Sequence, residues 1–277
     1  MTISRTTRAS TSPFSHWLPL ALSSMLLLPL HPAHAADDTI NPDRPDFVDS
    51  SDVVGRGHVQ VETGFASERG TADGVRSRLS STPVLLRFGV SDALELRVET
   101  DGWLHQRTDG PGAAMHTRES GYADSSLGVK WHTLDAAGNA PSLGVIVNAD
   151  LDTGSASFRG DGIRPSLHLA AEWDLPAEMS LGVMPGLSWE KNAEGQRYTN
   201  ALLGVVLDKS WNEHLRSFVE VAAPQITRAR NGGSTLSFDT GVAYLLSRSC
   251  QIDAAVSHGL NRRTPDLSWT VGLSFRM

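Results

Sequence analysis

From Gly57 to the C-terminus, apolar and polar positions alternate with a period of two, as in strands that show a different chemistry on each face. Val59, Val61, Thr63 and Phe65 interleave with His58, Gln60, Glu62 and Gly64, and Leu94, Leu96 and Val98 with Glu95, Arg97 and Glu99. Leu127, Val129 and Trp131 stand against Ser126, Gly128 and Lys130. The last repeat sets Leu267, Trp269, Val271, Leu273 and Phe275 against Ser268, Thr270, Gly272, Ser274 and Arg276. The pattern predicts about twelve strands, at residues 58–66, 78–90, 92–101, 121–133, 142–151, 164–175, 178–190, 198–209, 213–223, 235–246, 249–260 and 267–276.

The connections sort by parity. Those after odd strands read as long and polar (67–77, 102–120, 153–163, 191–197, 224–234 and 261–266). Those after even strands are tight, at residues 91, 176–177, 210–212 and 247–248, with 134–141 the intermediate exception. Short periplasmic turns alternating with longer external loops characterise a closed antiparallel transmembrane β-barrel, whereas a soluble sandwich has no reason to sort them. The expected fold is all-β: a barrel of about twelve strands, even in number as single-chain bacterial barrels are.

The polar face carries Glu62, Arg87, Glu95, Arg97, Glu99, Lys130, Glu172, Glu220, Asp239 and Asp253. A dry core could not hold so many ionisable groups, but a wet or ion-paired lumen can. Glu62, Arg87, Glu95, Arg97, Glu99, Lys130, Glu172 and Asp239 are therefore the candidates for lining the lumen and setting its selectivity. Twelve strands fall between barrels filled by their own side chains and broad porins, so the lumen should be narrow. Phe65, Phe88, Trp131, Trp173, Trp189, Trp269 and Phe275 share the apolar parity near strand ends, where an aromatic girdle belongs. A sandwich core would use mid-strand positions at least as often. On this facing, arginine at Leu96 or Val129 should impair folding in lipid, and Lys130→Ala should be tolerated.

Upstream, Arg5 and Arg8, an apolar stretch from Trp17 to Leu30, and Ala33-His34-Ala35 form an export signal over residues 1–35. The apolar stretch is too short for a bilayer span and is interrupted by Pro19 and Pro29, which argues against an uncleaved anchor. Residues 36–57 then form an extended segment, and residues 58–277 the barrel. Within the segment, Asn41-Pro42-Asp43-Arg44-Pro45-Asp46-Phe47 cannot pair as a central strand. It is either a tether or a partial plug in which Arg44 pairs with Glu62, Glu95 or Glu99.

Composition narrows the function. A net charge of -7 leaves no electrostatic footprint for nucleic acid. Cys250 is the single cysteine, so no intrachain disulfide forms. Two Asp-Thr-Gly triplets, at Asp152 and Asp239, invite comparison with aspartic proteases, whose paired carboxylates activate water. One lies mid-strand and the other at a strand-to-loop junction, and no bilobal repeat accompanies them. The ten histidines show no metal-ligand spacing, and no Gly-x-Ser-x-Gly elbow occurs. His258 lacks the serine at the spacing that outer-membrane phospholipase uses, and reads as an ordinary rim residue. No catalytic residue, cofactor or metal is expected.

The stretch from Asn41 to Phe65, the stretch from Ser80 to Arg97, and Asp124-Ser-Ser-Leu-Gly-Val-Lys-Trp131 resemble the MetA-pathway phenol-degradation family of outer-membrane transporter-like proteins. The matching features are the D-R-P-D element, the G-x-x-Q-x-E-x-G-F strand and the P-x-L-L-R-F-G-V-x-D-x-L-E-L-R hairpin. The resemblance implies an outer-membrane barrel that moves small solutes, aromatic or hydrophobic ones included. Many such barrels end on phenylalanine, but here Arg276 and Met277 follow Phe275.

The sequence thus reads as a channel in a bacterial outer membrane. Its expected partners are membrane lipid and lipopolysaccharide, a small-molecule solute and the barrel-assembly machinery. The alternatives are a non-conducting structural or adhesive surface barrel and, with no convincing nucleophile, a barrel hydrolase.

Overall fold

The computed structural model describes residues 39–112, 116–192 and 194–277, and the export signal at 1–35 lies outside them. Its strands in chain order are β1 (Val59–Ala72), β2 (Val75–Ser81), β3 (Val84–Ser91), β4 (Leu94–Thr100), β5 (Trp103–Asp109), β6 (His116–Tyr122) and β7 (Ser125–Leu134). They continue as β8 (Ser142–Leu151), β9 (Arg164–Leu175), β10 (Met179–Lys191), β11 (Arg197–Ser210), β12 (Leu215–Ile226), β13 (Ser237–Ser247), β14 (Cys250–Gly259) and β15 (Leu267–Arg276).

These make twelve crossings, because β2–β3, β4–β5 and β6–β7 are each one strand with a break. Pro83, which has no N–H for the ladder, marks the first break. The breaks are level with one another: Thr82 N–H donates to the Asp101 carbonyl (3.1 Å) and Ala123 N–H to that of Gly102 (2.9 Å). All neighbours are antiparallel, and β1 pairs with β15 from Gln60↔Arg276 to Arg69↔Leu267. That seam closes the cylinder and leaves the wall no open edge, as a bilayer demands. Met277 extends the seam, exchanging backbone hydrogen bonds of 2.9 Å with Val59.

Two connections that read as polar loops are strand instead. The far half of β1 pairs with β2, β2 with β5, and β5 with β6, so residues 67–77 and most of 102–120 form a four-stranded extension beyond the wall. Asp73 and Gly74 turn the first hairpin with φ of 51° and 78°, the left-handed pair that a two-residue hairpin turn requires. The extension hid from the alternation because, beyond Leu104 and Gly121 at its base, water reaches both of its faces. In β6, every residue from His116 to Ser120 is exposed.

In the wall the two faces separate cleanly. Leu96, Val98, Leu127, Val129, Val205 and Val219 point outward and are exposed, while Glu62, Arg87, Glu95 and Lys130 are fully buried on the inside. Phe65, Phe88, Trp189 and Trp269 are exposed on the outer face; Trp131, Trp173 and Phe275 share that face and are half-buried. The Phe65 and Trp269 rings lie 5.5 Å apart. Trp103 and Tyr122, 4.9 Å apart and edge-on, join them at the base of the extension.

Candidate functional site

Residues 39–57 run inside the barrel. Both ends of the segment are tied at the end that carries the short turns: Ile40 N–H donates to the Arg248 carbonyl (2.7 Å) and Gly57 N–H to that of Gly89 (2.8 Å). The chain therefore enters and leaves on the side where outer-membrane barrels place periplasmic turns. Pro42 and Pro45 keep it extended and off the wall's ladder.

Asp43 is the centre of the site. Its carboxylate accepts from Lys130 Nζ at 2.8 and 2.9 Å and from Arg97 Nη1 at 2.6 Å, and Arg87 Nη1 lies 3.5 Å away. Around it, Glu95 takes Arg87 Nε (2.9 Å) and Arg97 Nη1 (3.3 Å), while Glu62 takes Arg87 Nη1 (3.1 Å). Three wall cations thus face two wall acids at this level, and Asp43 supplies the missing negative charge. Burial by itself would push the Asp43 carboxyl up. Arg87, Lys130 and Arg97 outweigh that and hold it well below the usual carboxylate range.

The wall also reads the segment's backbone. Glu62 accepts the N–H groups of Asp43 (3.2 Å) and Arg44 (3.1 Å), and Glu220 those of Phe47 and Val48 (2.9 Å each). Glu172 accepts from Ser51 N–H (2.6 Å) and Glu95 from Val54 N–H (2.9 Å). Arg216 Nη1 bridges Asp46 (3.2 Å) and Asp208 (2.6 Å). Val48 packs on Met184, Leu202, Val206 and Phe218, a small apolar cluster within the lumen.

Arg44 takes a different partner from the three acids its charge pointed to. Only its backbone meets Glu62; its guanidinium crosses to Asp253 (3.1 Å) and Thr270 (2.8 Å) on β14 and β15. The reason is space. Gly64 and Gly272 face each other across the seam, and a Cβ on either would come within 2.8 or 2.4 Å of the Arg44 guanidinium.

Of the lumen candidates, Glu62, Arg87, Glu95, Arg97, Lys130 and Glu172 are therefore all engaged with the segment or with each other. Asp239 sits on the inner face of β13, bonded to Ser237 (3.0 Å), and Glu99 has no hydrogen bond or ion pair among the described residues. Lys130 is fully buried and also donates to the Ser50 carbonyl (2.8 Å), so its contacts run to the inner segment and the expected tolerance of Lys130→Ala concerns the wall alone. Asp43, Asp46, Asp208 and Arg216 were not singled out from sequence. The signal for the first two was the pair of acids spaced inside the D-R-P-D element.

Beyond the segment the lumen opens. A cavity of about 270 Å³ lined by Asp43, Arg97, Glu99, Asn148, His168 and Met184 shares Glu99, Asn148 and His168 with a wider mouth of about 580 Å³. Both ring nitrogens of His168 lack a protein partner there. The two Asp-Thr-Gly triplets are not brought together: Asp152 follows β8, Asp239 lies within β13, and four strands separate them. His258 is exposed on the outer face near the external end of β14. Among the described residues, no group of three or more His, Cys, Asp or Glu is arranged to hold a metal ion.

The family model described as "Putative MetA-pathway of phenol degradation" matches residues 42–277, which include the whole wall and all but the first few described residues of the inner segment. The chain belongs to this family. The polar residues of its matching stretches converge on one place. Asp43 and Arg44 come from D-R-P-D, Gln60 and Glu62 from the first strand, Arg87, Glu95 and Arg97 from the hairpin, and Lys130 from the D-S-S-L-G-V-K-W stretch. No curated protein matches the sequence.

Among solved structures, the chain is similar to an outer membrane channel from Pseudomonas putida F1, with a TM-score of 0.62 and 12% identity over 86% of this chain and 100% of that one. It is also similar to the translocator domain of the autotransporter NalP from Neisseria meningitidis (0.52, 14%, over 80% and 90%) and to the KdgM porin (0.50, 9%, over 78% and 98%). At these identities the likeness is one of fold: an outer-membrane-type barrel.

Proposed function

We propose that this family member is an outer-membrane channel for small solutes whose lumen is occluded by residues 39–57, so that conduction requires the segment to shift. The observation that carries this reading is the floor of the inner cavity. The mouth and the inner cavity adjoin at Glu99, Asn148 and His168, and Asp43 to Phe47 and Asp49 line the inner one. Glu62, Arg87, Glu95, Arg97, Lys130 and Glu172 act as the docking wall in this reading. Selectivity falls to groups left free to meet a solute, with Glu99 first among them. The narrow cavity limits solutes to small molecules, aromatic ones included. The protein reaches its membrane through the signal at residues 1–35 and the barrel-assembly machinery, and no chemical step or cofactor takes part.

A second reading is a non-conducting surface barrel, favoured by the same occlusion together with the four-stranded extension. Planar-bilayer recordings decide between them. Brief or small currents from the parent and steady larger currents from a variant lacking residues 39–57 support the channel. Two folded but silent barrels would establish the structural role. Uptake of phenolic compounds with and without the protein then tests the solute class.

A further inference from the structure

The outer face of β10, β11 and the end of β12 changes character over three successive rungs. Leu187 faces Ala201 on the ladder, Trp189 faces Thr199, and Lys191 faces Arg197, all on the lipid-facing parity. Each rung lies about 7 Å farther along the strand than the last. Apolar, then aromatic, then cationic is the order met on leaving a hydrocarbon layer for its headgroups.

A bulge in β12 brings more positive charge to the same place. Leu203 pairs with Ala223, but Ala201 pairs with Ile226, so one extra residue on β12 reverses its parity. Ile226 thereby joins the outer face and is exposed, and Arg228 and Arg230 follow it. Arg197, Thr199, Ile226, Arg228, Arg230 and Asn231 line an open cleft of about 650 Å³. Lys191 is matched by Asp161 at 3.0 Å. No side-chain hydrogen bond or ion pair engages Arg197, Arg228 or Arg230 among the described residues, and all three are exposed.

We propose that this cleft binds a phosphate group of an anionic outer-leaflet glycolipid, lipopolysaccharide, from the outside of the barrel. Three unmatched guanidiniums supply forked donors that fit phosphate oxygens. Trp189 and Ile226 below them meet the sugar and upper acyl region, and a free inorganic phosphate would gain nothing from that apolar step. The site depends on the external placement of this end of the barrel and not on whether the lumen conducts.

The test is binding of purified diphosphoryl lipid A to the detergent-solubilised mature protein, read by native mass spectrometry. Its arms are the parent, the Arg197→Gln/Arg228→Gln/Arg230→Gln variant, and fully dephosphorylated lipid A. The triple variant should bind roughly a hundredfold more weakly, about a factor of five for each arginine, while keeping the parent's heat-modifiable gel migration. Dephosphorylated lipid A should bind the parent no better than the phosphorylated form binds the variant, and millimolar orthophosphate should fail to displace the lipid. Equal binding by parent and folded variant overturns the site. Full displacement by orthophosphate overturns the lipid assignment in favour of a free-phosphate site. If the variant does not fold, the parent alone decides, since equal affinity for lipid A with and without phosphates overturns the proposal.

Discussion

Lys130 Nζ lies 2.8 Å from Asp43 Oδ1 and 2.9 Å from Oδ2, across 87 residues of chain, with both side chains sealed from solvent. The bond joins the wall to the inner segment. Asp43 also meets Arg87 and Arg97, so one carboxylate faces all three wall cations, while Asp49 reaches Arg97 alone at 3.5 Å. A buried pair of this kind is a weak source of net stability but is costly to break from one side, because the partner remains buried and unmatched.

Asp43→Ala should therefore release the segment while leaving the wall intact. Removing the carboxylate leaves Lys130 without an ion-pair partner among the described residues and the cluster one negative charge short, which should disfavour docking by about 3–5 kcal/mol. In planar bilayers the variant should show more frequent and longer openings than the parent, and its circular dichroism should be unchanged. Identical traces would mean that Asp43 does not hold the segment.

Lys130→Ala and Val129→Arg should separate the two faces of one strand. Val129 is exposed on the outer wall opposite Leu96, so arginine there should destabilise the barrel in lipid by about 2–4 kcal/mol at midplane depth. Lys130→Ala should leave unfolding of the wall in lipid vesicles nearly unchanged and raise protease sensitivity within residues 39–57. Equal loss of barrel stability in both variants would contradict the facing.

Acid should also undock the segment. The docked Asp43 carboxyl titrates well below its ordinary value of 3.8, so below about that pH the undocked state binds more protons. Docking stability contributed by this group is full above pH 3.8 and falls as the pH drops toward the depressed value. Open probability should rise between about pH 4 and pH 3, and Asp43→Asn should flatten that rise.

Asp124 should control the external loop at residues 152–163. Its carboxylate accepts from Gly154 N–H, Gly160 N–H and Arg164 Nη2, each at 2.8 Å. Asp124→Ala should loosen the loop by roughly 1–3 kcal/mol and expose it to limited proteolysis, with the barrel's thermal unfolding little changed. A loop as resistant as the parent's would show that other contacts hold it.

The wall was legible because a bilayer touches one face and water the other, and the alternation at Val59–Phe65 or Leu94–Glu99 records that contrast residue by residue. The extension around Asp73-Gly74 was not, since a sheet wetted on both sides has no such contrast. The signal there was the turn dipeptide itself. The inner segment's path was hidden for another reason. Glu62, Glu172 and Glu220 hold it largely through backbone N–H groups, which every residue but proline carries, so the pattern of Asp46-Phe47-Val48 says little about where it docks.

By itself, the amino-acid order determined a sealed cylinder with charge inside and apolar residues outside, since strand periodicity and loop parity are local properties of the chain. Only the tertiary structure decided which charges meet. Closing the seam between β1 and β15 set Gly64 against Gly272 and made the hollow that takes Arg44. Bringing β1, β3, β4 and β7 side by side set Arg87, Arg97 and Lys130 against Glu62 and Glu95, and Asp43 is held where it neutralises the one excess positive charge.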